Sequence, residues 1–148
     1  MFRKIVVGLD GSAMSETALQ MACDLAGKYG SELHLVHTPQ PQTVAYAMGA
    51  VGGYHAVTTM PDPSEVKEAS DKIINSGKEI AKSMGQTITH IHSDIGDPAT
   101  EIVKVAENCG ADLIVTGRRG LGTIGSLIQG STSQKINHLA KCACLTVA

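Results

Sequence analysis

No apolar run in this 148-residue chain approaches the roughly 20 residues that a bilayer-spanning helix needs. The first apolar stretch, after Met1-Phe2-Arg3-Lys4, is too short for the hydrophobic region of a secretory signal. There is no basic stripe. The net charge is -2 and residues of both signs are mixed along the chain, which argues against a nucleic-acid surface. Cysteine is sparse: Cys23, Cys109, Cys142 and Cys144 show neither paired zinc spacing nor a CxxC redox motif. They are expected to be reduced, structural thiols, with Cys142 and Cys144 on one face of a strand. No Gly-Lys-Ser/Thr follows the glycine-rich segment, so a Walker phosphate loop is excluded. These absences predict a cytoplasmic protein with no membrane span, no nucleic-acid partner and no metal site.

What the chain does have is one glycine-rich stretch from Thr116 to Ser133. It follows the apolar run Leu113-Ile114-Val115, which reads as a buried strand, and precedes a short helical segment. Five glycines lie in it. Such a loop lets a ligand approach the main chain, and the helix start beyond it offers bare N–H groups and a favourable dipole to an anion. Ser131, Thr132 and Ser133 add hydroxyls, and Arg118 and Arg119 add forked cationic donors suited to phosphate. Two bland roles compete with this reading. Glycine-rich loops also serve as plain turns, and Ser131 with Gln134 forms a capping-box pattern that needs no ligand.

The rest of the chain alternates regularly. Ile5 to Leu9 reads as a strand buried on both faces. A helix follows, capped by Ser12 and ended by Gly30, with Met14, Ala18, Met21, Ala22, Leu25 and Tyr29 as its inner stripe. Glu32–Thr38 is a second strand. Residues 39–61 carry almost no charge and are expected to be a long flexible loop, since structureless connections beyond about 15 residues are uncommon in compact domains. Asp62-Pro63-Ser64-Glu65 opens a second helix, with Val66, Ala69, Ile73, Gly77, Ile80 and Met84 along one face. Thr87–His92 alternates polar and apolar residues like an edge strand. His90 and His92 share a face there, but without an acidic or cysteine partner at ligand spacing they are expected to face solvent. Asp97-Pro98 opens a third helix with an inner stripe of Ala99, Ile102, Val103 and Ala106. Asp112–Thr116, Ser131–Ala140 and Cys142–Val147 complete the order as strand, helix and strand.

Strict alternation predicts an α/β fold: one doubly wound domain over residues 1–148, with a five-stranded parallel sheet and helices on both faces. Ligands of such sheets bind beyond the strands' carboxyl ends, where the winding reverses. If the first and fourth strands are neighbours, Asp10 and Gly117 border one crevice.

At this level the chain resembles the universal stress protein family, in its ATP-binding branch. That branch carries two glycines separated by two residues, then nine residues, then Gly-Ser or Gly-Thr. Here these are Gly117-Arg118-Arg119-Gly120, Leu121 to Gln129, and Gly130-Ser131. The opening Lys4–Ser12 segment and the Gly96-Asp97-Pro98 turn also match, so the resemblance spans essentially the whole chain. It implies a Rossmann-like sheet of order 3-2-1-4-5 and a site for ATP with magnesium. In that site Asp10 lies near ribose and phosphates, Thr38 near adenine, and Thr116 and Gly117 beside the ribose. Arg119, Gly120, Gly130, Ser131, Thr132 and Ser133 surround the phosphates. Two features depart from the family pattern. The last strand lacks a proline before its core, and Arg118 stands where a small residue is common.

The loop from Arg118 to Gln129 contains no carboxylate, histidine or lysine, and Asp10 is the only evident carboxylate near the site. Hydrolysis needs a positioned water, charge stabilisation and usually a metal. The expected role is therefore a nucleotide-dependent regulatory module in a stress response, read by a protein partner. Weak ATP hydrolysis or nucleotide-dependent transfer, and a non-catalytic interaction protein with a vestigial site, are the alternatives. The last strand, Cys142–Val147, is uncharged and lies at the sheet edge in the implied order. It is expected to pair with its copy in a homodimer, with larger assemblies open.

Overall fold

The computed structural model describes residues 1–49, 59–121 and 130–148. Its elements run β1 (Lys4–Gly8), α1 (Ala13–Tyr29), β2 (Glu32–His37), α2 (Pro41–Ala47), α3 (Pro63–Ser83), β3 (His90–Ser93), α4 (Pro98–Cys109), β4 (Leu113–Gly117), α5 (Ser131–Leu139) and β5 (Ala143–Val147). The five strands form one sheet in the order β3-β2-β1-β4-β5, and every pairing is parallel. This is the expected doubly wound α/β sheet. None of the described helices is long and apolar enough to cross a membrane.

The strand period of two divides the core between the faces. Ile5, Val7, Leu33, Leu35, Leu113 and Val115 point to one side, against Leu19, Ala22 and Ala26 of α1 and Ile73 and Ala81 of α3. Val6, Val36 and Ile114 point to the other, against Ile102, Val103 and Ala106 of α4 and Ile136 of α5. Helix α3 comes close because residue 77 is glycine: a Cβ there would lie 2.8 Å from Leu9 Cδ2. The cysteines are buried or half-buried. Burial pushes the Cys23 thiol up to about 11 and raises Cys109, Cys142 and Cys144 as well, so none is poised as a thiolate.

Helix starts follow the expected signals. Ser12 Oγ accepts from Ser15 N–H at 3.2 Å, and Asp62 accepts from Ser64 N–H at 3.2 Å. Asp97 accepts from the N–H of Thr100 at 2.9 Å and from its hydroxyl at 2.7 Å. Four readings need correction. The segment expected to be a loop over 39–61 contains α2, which buries Thr43 and Val44 and packs Val44 against Val66 and Ala69 of α3; residues 50–58 lie outside the described residues. Second, the stripe of α1 is rotated. Met21 and Tyr29 are exposed, while Leu19, Cys23 and Ala26 are buried, because the helix centres its smaller residues on the sheet. Third, β3 begins at His90, not Thr87, and it follows a link at Thr89, whose N–H donates to the Leu33 carbonyl and whose hydroxyl accepts from Leu33 N–H. Fourth, the cap of α5 is Gly130, and Ser131 is the first helical residue.

Candidate functional site

Between β2 and β4 the winding reverses at β1, and beyond the carboxyl ends of these strands lies a cleft of about 490 Å³. Clefts of this size accommodate small ligands and cofactors. All ten residues expected at the site line it: Asp10, Thr38, Thr116, Gly117, Arg119, Gly120, Gly130, Ser131, Thr132 and Ser133. So do Gln40, Gln42 and Thr43 from the start of α2, and Asp97 and Pro98 from the start of α4.

The local geometry explains the convergence. At the end of β1 the chain turns through Gly11, whose φ of 86° suits glycine. The Asp10 carboxylate accepts from Ser12 N–H at 2.9 Å through one oxygen and from Leu121 N–H at 3.3 Å through the other. It thereby ties the end of β1 to the glycine-rich segment after β4. Gly120 is required for this approach, since a Cβ there would stand 2.5 Å from Asp10 Oδ2. Gly117 lies against α1, where a Cβ would meet the Met14 carbonyl carbon at 3.0 Å.

The stem of the glycine-rich loop is closed by backbone bonds. Arg118 N–H donates to the Val147 carbonyl at 2.6 Å, and the Arg118 carbonyl accepts from Gly130 N–H at 2.8 Å. The Ser133 hydroxyl lies 3.0 Å from the carbonyls of both Arg118 and Gly130. Ser133 is buried, so its hydroxyl holds the stem together and only its N–H remains for a ligand. Residues 122–129 lie outside the described residues.

Three helix starts face the cleft: Ser15 in the first turn of α1, Asp97 and Pro98 at α4, and Gly130 to Ser133 at α5. The N–H groups of Ser131, Thr132 and Ser133 are the first three of α5 and have no intrahelical acceptor. With the dipoles, they make this end of the cleft attractive to an anion. Arg118 Nε and Arg119 Nε are buried without a hydrogen-bond partner among the described residues. At the other end the Thr38 hydroxyl is equally buried and unpartnered among them. Buried polar groups in this state are rare enough to mark where a ligand would bond.

Two acidic residues line the cleft. Asp10 is committed to backbone N–H groups as described. Asp97 is held by Lys135 Nζ at 2.9 Å, which joins the start of α4 to α5. That ion pair and the Thr100 bonds pull its carboxyl down to about 2. His37, behind the wall, donates its Nδ1–H to the Leu9 carbonyl at 2.9 Å, and burial keeps its pKa low.

A model of the universal stress protein family matches residues 1–148. The chain belongs to the universal stress protein family. Among the relatives of this family member, universal stress protein YxiE of Bacillus subtilis is 34% identical, covering 99% of both chains. A universal stress protein from Archaeoglobus fulgidus, solved in complex with dAMP, superposes with a TM-score of 0.69 at 22% identity, over 99% of this chain and 98% of the other. A universal stress protein solved in complex with cAMP has the same TM-score at 24% identity, over 99% and 97% of the two chains.

Sequence reasoning missed two parts of this universal stress protein. One is the α2 wall, where Gln40 was signalled only by the following Pro41 at a helix start. The other lies outside the cleft, on the outer strands. His90 and His92 were expected to lack an acidic neighbour, but β2 supplies Glu32 and His34 beside them. His34 is buried, and burial together with the neighbouring His90 and His92 lowers its pKa.

Proposed function

We propose that this chain binds ATP in the cleft and acts as a nucleotide-dependent regulatory module. The observation that carries this reading is the meeting of three helix starts, a glycine-rich stem and the buried Thr38 hydroxyl in one cleft at the winding reversal. The dAMP and cAMP complexes of two structural relatives support an adenine nucleotide. The spacing Gly117 to Ser131, with Arg118 and Arg119, supports more than one phosphate.

The roles divide along the cleft. Thr38 hydrogen-bonds the adenine edge, and Thr116 and Gly117 border the ribose. The N–H groups of Ser131, Thr132 and Ser133, with Arg119, take the phosphates. Gly120 and Gly130 keep side chains out of their path. Bound magnesium would offset phosphate charge, and Asp10, with both oxygens engaged, would reach it through water. Neither acidic residue of the cleft is free to act as a base, so this reading makes the site a grip on ATP more than a means of cleaving it.

The readout we propose is assembly in the cytoplasm. β5 is an edge strand with an uncharged sequence, and it pairs with β4 on its inner side alone. Antiparallel pairing with its copy gives a two-fold dimer. The bond from Arg118 N–H to the Val147 carbonyl links the phosphate-loop stem to this strand. Occupancy of the cleft is thereby felt at the dimer edge, where a partner protein can read it.

Mass spectrometry of small molecules released from the purified protein, followed by calorimetric titration of ATP, ADP and AMP, tests the ligand. Gly130→Val should weaken ATP binding at least about tenfold, a loss of about 1.4 kcal/mol. Unchanged affinity would overturn the phosphate assignment. A monomer in sedimentation at micromolar concentration would overturn the dimer.

A further inference from the structure

On the outer strands β2 and β3, outside the lining of the cleft, three imidazoles and a carboxylate come together. Parallel pairing sets His34 of β2 opposite His90 of β3, with Glu32 and His92 each two residues away on the same sheet face. The ring centroids of His34 and His90 are 4.6 Å apart, and those of His34 and His92 are 5.6 Å apart and stacked. One ligand atom each from Glu32, His34 and His90 lie within 4.8 Å of one another.

The hydrogen bonding of His34 decides what this cluster can do. His34 Nδ1 and His92 Nε2 share a bond of 3.3 Å. With His34 as its donor, the lone pair of His34 Nε2 faces Glu32 Oε2 at 3.7 Å, so two acceptors oppose each other. The other tautomer points Nε2–H at an oxygen too far for a hydrogen bond. In either case Nε2 is buried and has no hydrogen-bond partner among the described residues. A proton on His34 would turn the contact into an ion pair, but burial, His90 and His92 disfavour the charged ring; a metal cation between the two atoms resolves the opposition with His34 neutral. Lys4 Nζ also lies 3.8 Å from this Glu32 oxygen, and both side chains are partly exposed.

We propose that Glu32, His34 and His90 form a Zn²⁺ site that clamps the edge strand β3 to β2. Two imidazoles and a carboxylate suit a borderline ion, and hard ions such as Mg²⁺ prefer oxygen ligands alone. Ligands of a tetrahedral zinc lie about 3.4 Å apart, from bond lengths of about 2.0–2.2 Å. The Glu32–His34 distance is already close to this, and His90 is an exposed side chain free to turn inward. His92 acts from behind: its bond to His34 Nδ1 fixes the ring so that Nε2 is the ligand, as outer partners of metal-binding histidines do. Three protein ligands leave a fourth position for water.

The test is calorimetric titration of Zn²⁺ into the full chain after treatment with chelator, with Co²⁺ absorption as a probe of geometry. One equivalent of Zn²⁺ should bind, Co²⁺ should give the intense visible bands of a tetrahedral site, and Zn²⁺ should raise the thermal midpoint. Glu32→Gln and His90→Ala, both at exposed positions, should each weaken binding at least about tenfold, with His92→Ala costing about 10–100-fold. His138→Ala, at an exposed position of α5, should change nothing. Absence of saturable Zn²⁺ binding would overturn the site. So would binding that Glu32→Gln and His90→Ala leave intact, or binding lost instead in Cys142→Ser, which would place the ion at the thiols.

Discussion

Replacing Gly120 by alanine isolates the contact that joins the two halves of the cleft. Gly120 is not among the glycines at positive φ, so alanine introduces no backbone strain there. Its Cβ would stand 2.5 Å from Asp10 Oδ2, and among the described residues beyond its chain neighbours this carboxylate is the one group within 4 Å. An ordinary contact needs about 3.5 Å, so the carboxylate must retreat by about 1 Å. Its bond to Leu121 N–H, already 3.3 Å long, is then lost. A hydrogen bond to a charged group is worth about 1.5–3 kcal/mol, and the length of this one places it at the low end, at about 1.5–2 kcal/mol. For a chain of this size that lowers the thermal midpoint by about 3–6 °C. The decisive measurement is a double-mutant cycle in urea. In an Asp10→Ala background the alanine at 120 meets nothing, and its cost should fall below about 0.5 kcal/mol. If Gly120→Ala costs the same with and without Asp10, the steric coupling between them is refuted.

The Asp97–Lys135 pair predicts an acid-side loss of stability. The folded carboxyl sits at about 2, below the ordinary value of 3.8, so its contribution is full above about pH 4 and disappears as pH falls towards 2. Lys135→Met should raise the Asp97 pKa in NMR titration and remove the corresponding part of the acid limb; an unmoved pKa would deny the pair its role. Gly77→Ala should destabilise by about 1 kcal/mol in urea unfolding. The Cβ contact of 2.8 Å with Leu9 overpacks the core by more than the better helix propensity of alanine returns.

The fold was legible because each element carries its own signals. Ser12, Asp62 and Asp97 cap helices through their own side chains, and glycine in the left-handed conformation ends two of them, at Gly30 and Gly110. The inner stripe of α4 could be read directly, since Ala99, Ile102, Val103 and Ala106 are all buried. In α1 alanines lie on more than one face and periodicity alone cannot orient the helix, which is why Met21 and Tyr29 were placed inward. Helix α2 escaped notice for a different reason. It has seven residues, carries no charge, and is held by Val44 against α3, a contact that no local pattern reveals.

The same distinction separates the two proposed ligand sites. Gly117, Gly120, Gly130 and Ser131 belong to one strand–loop–helix unit, so spacing along the chain carries their relation directly. The Glu32–His34–His90–His92 cluster belongs to no such unit. Sequence separation between its halves is large, and a search for ligand spacing near His90 finds nothing. Yet the information was present in a different form. Strand alternation puts Glu32 with His34, and His90 with His92, on common faces. The order 3-2-1-4-5 makes their strands neighbours. Only the register, His34 opposite His90, remains, and one residue of slip would send the pairs to opposite faces. The link from Thr89 N–H to the Leu33 carbonyl sets that register one step before the strand begins. A zinc clamp on this edge would hold the same register from the side chains, so loss of the ion should loosen β3 before it disturbs the cleft beyond the carboxyl ends of β1 and β4.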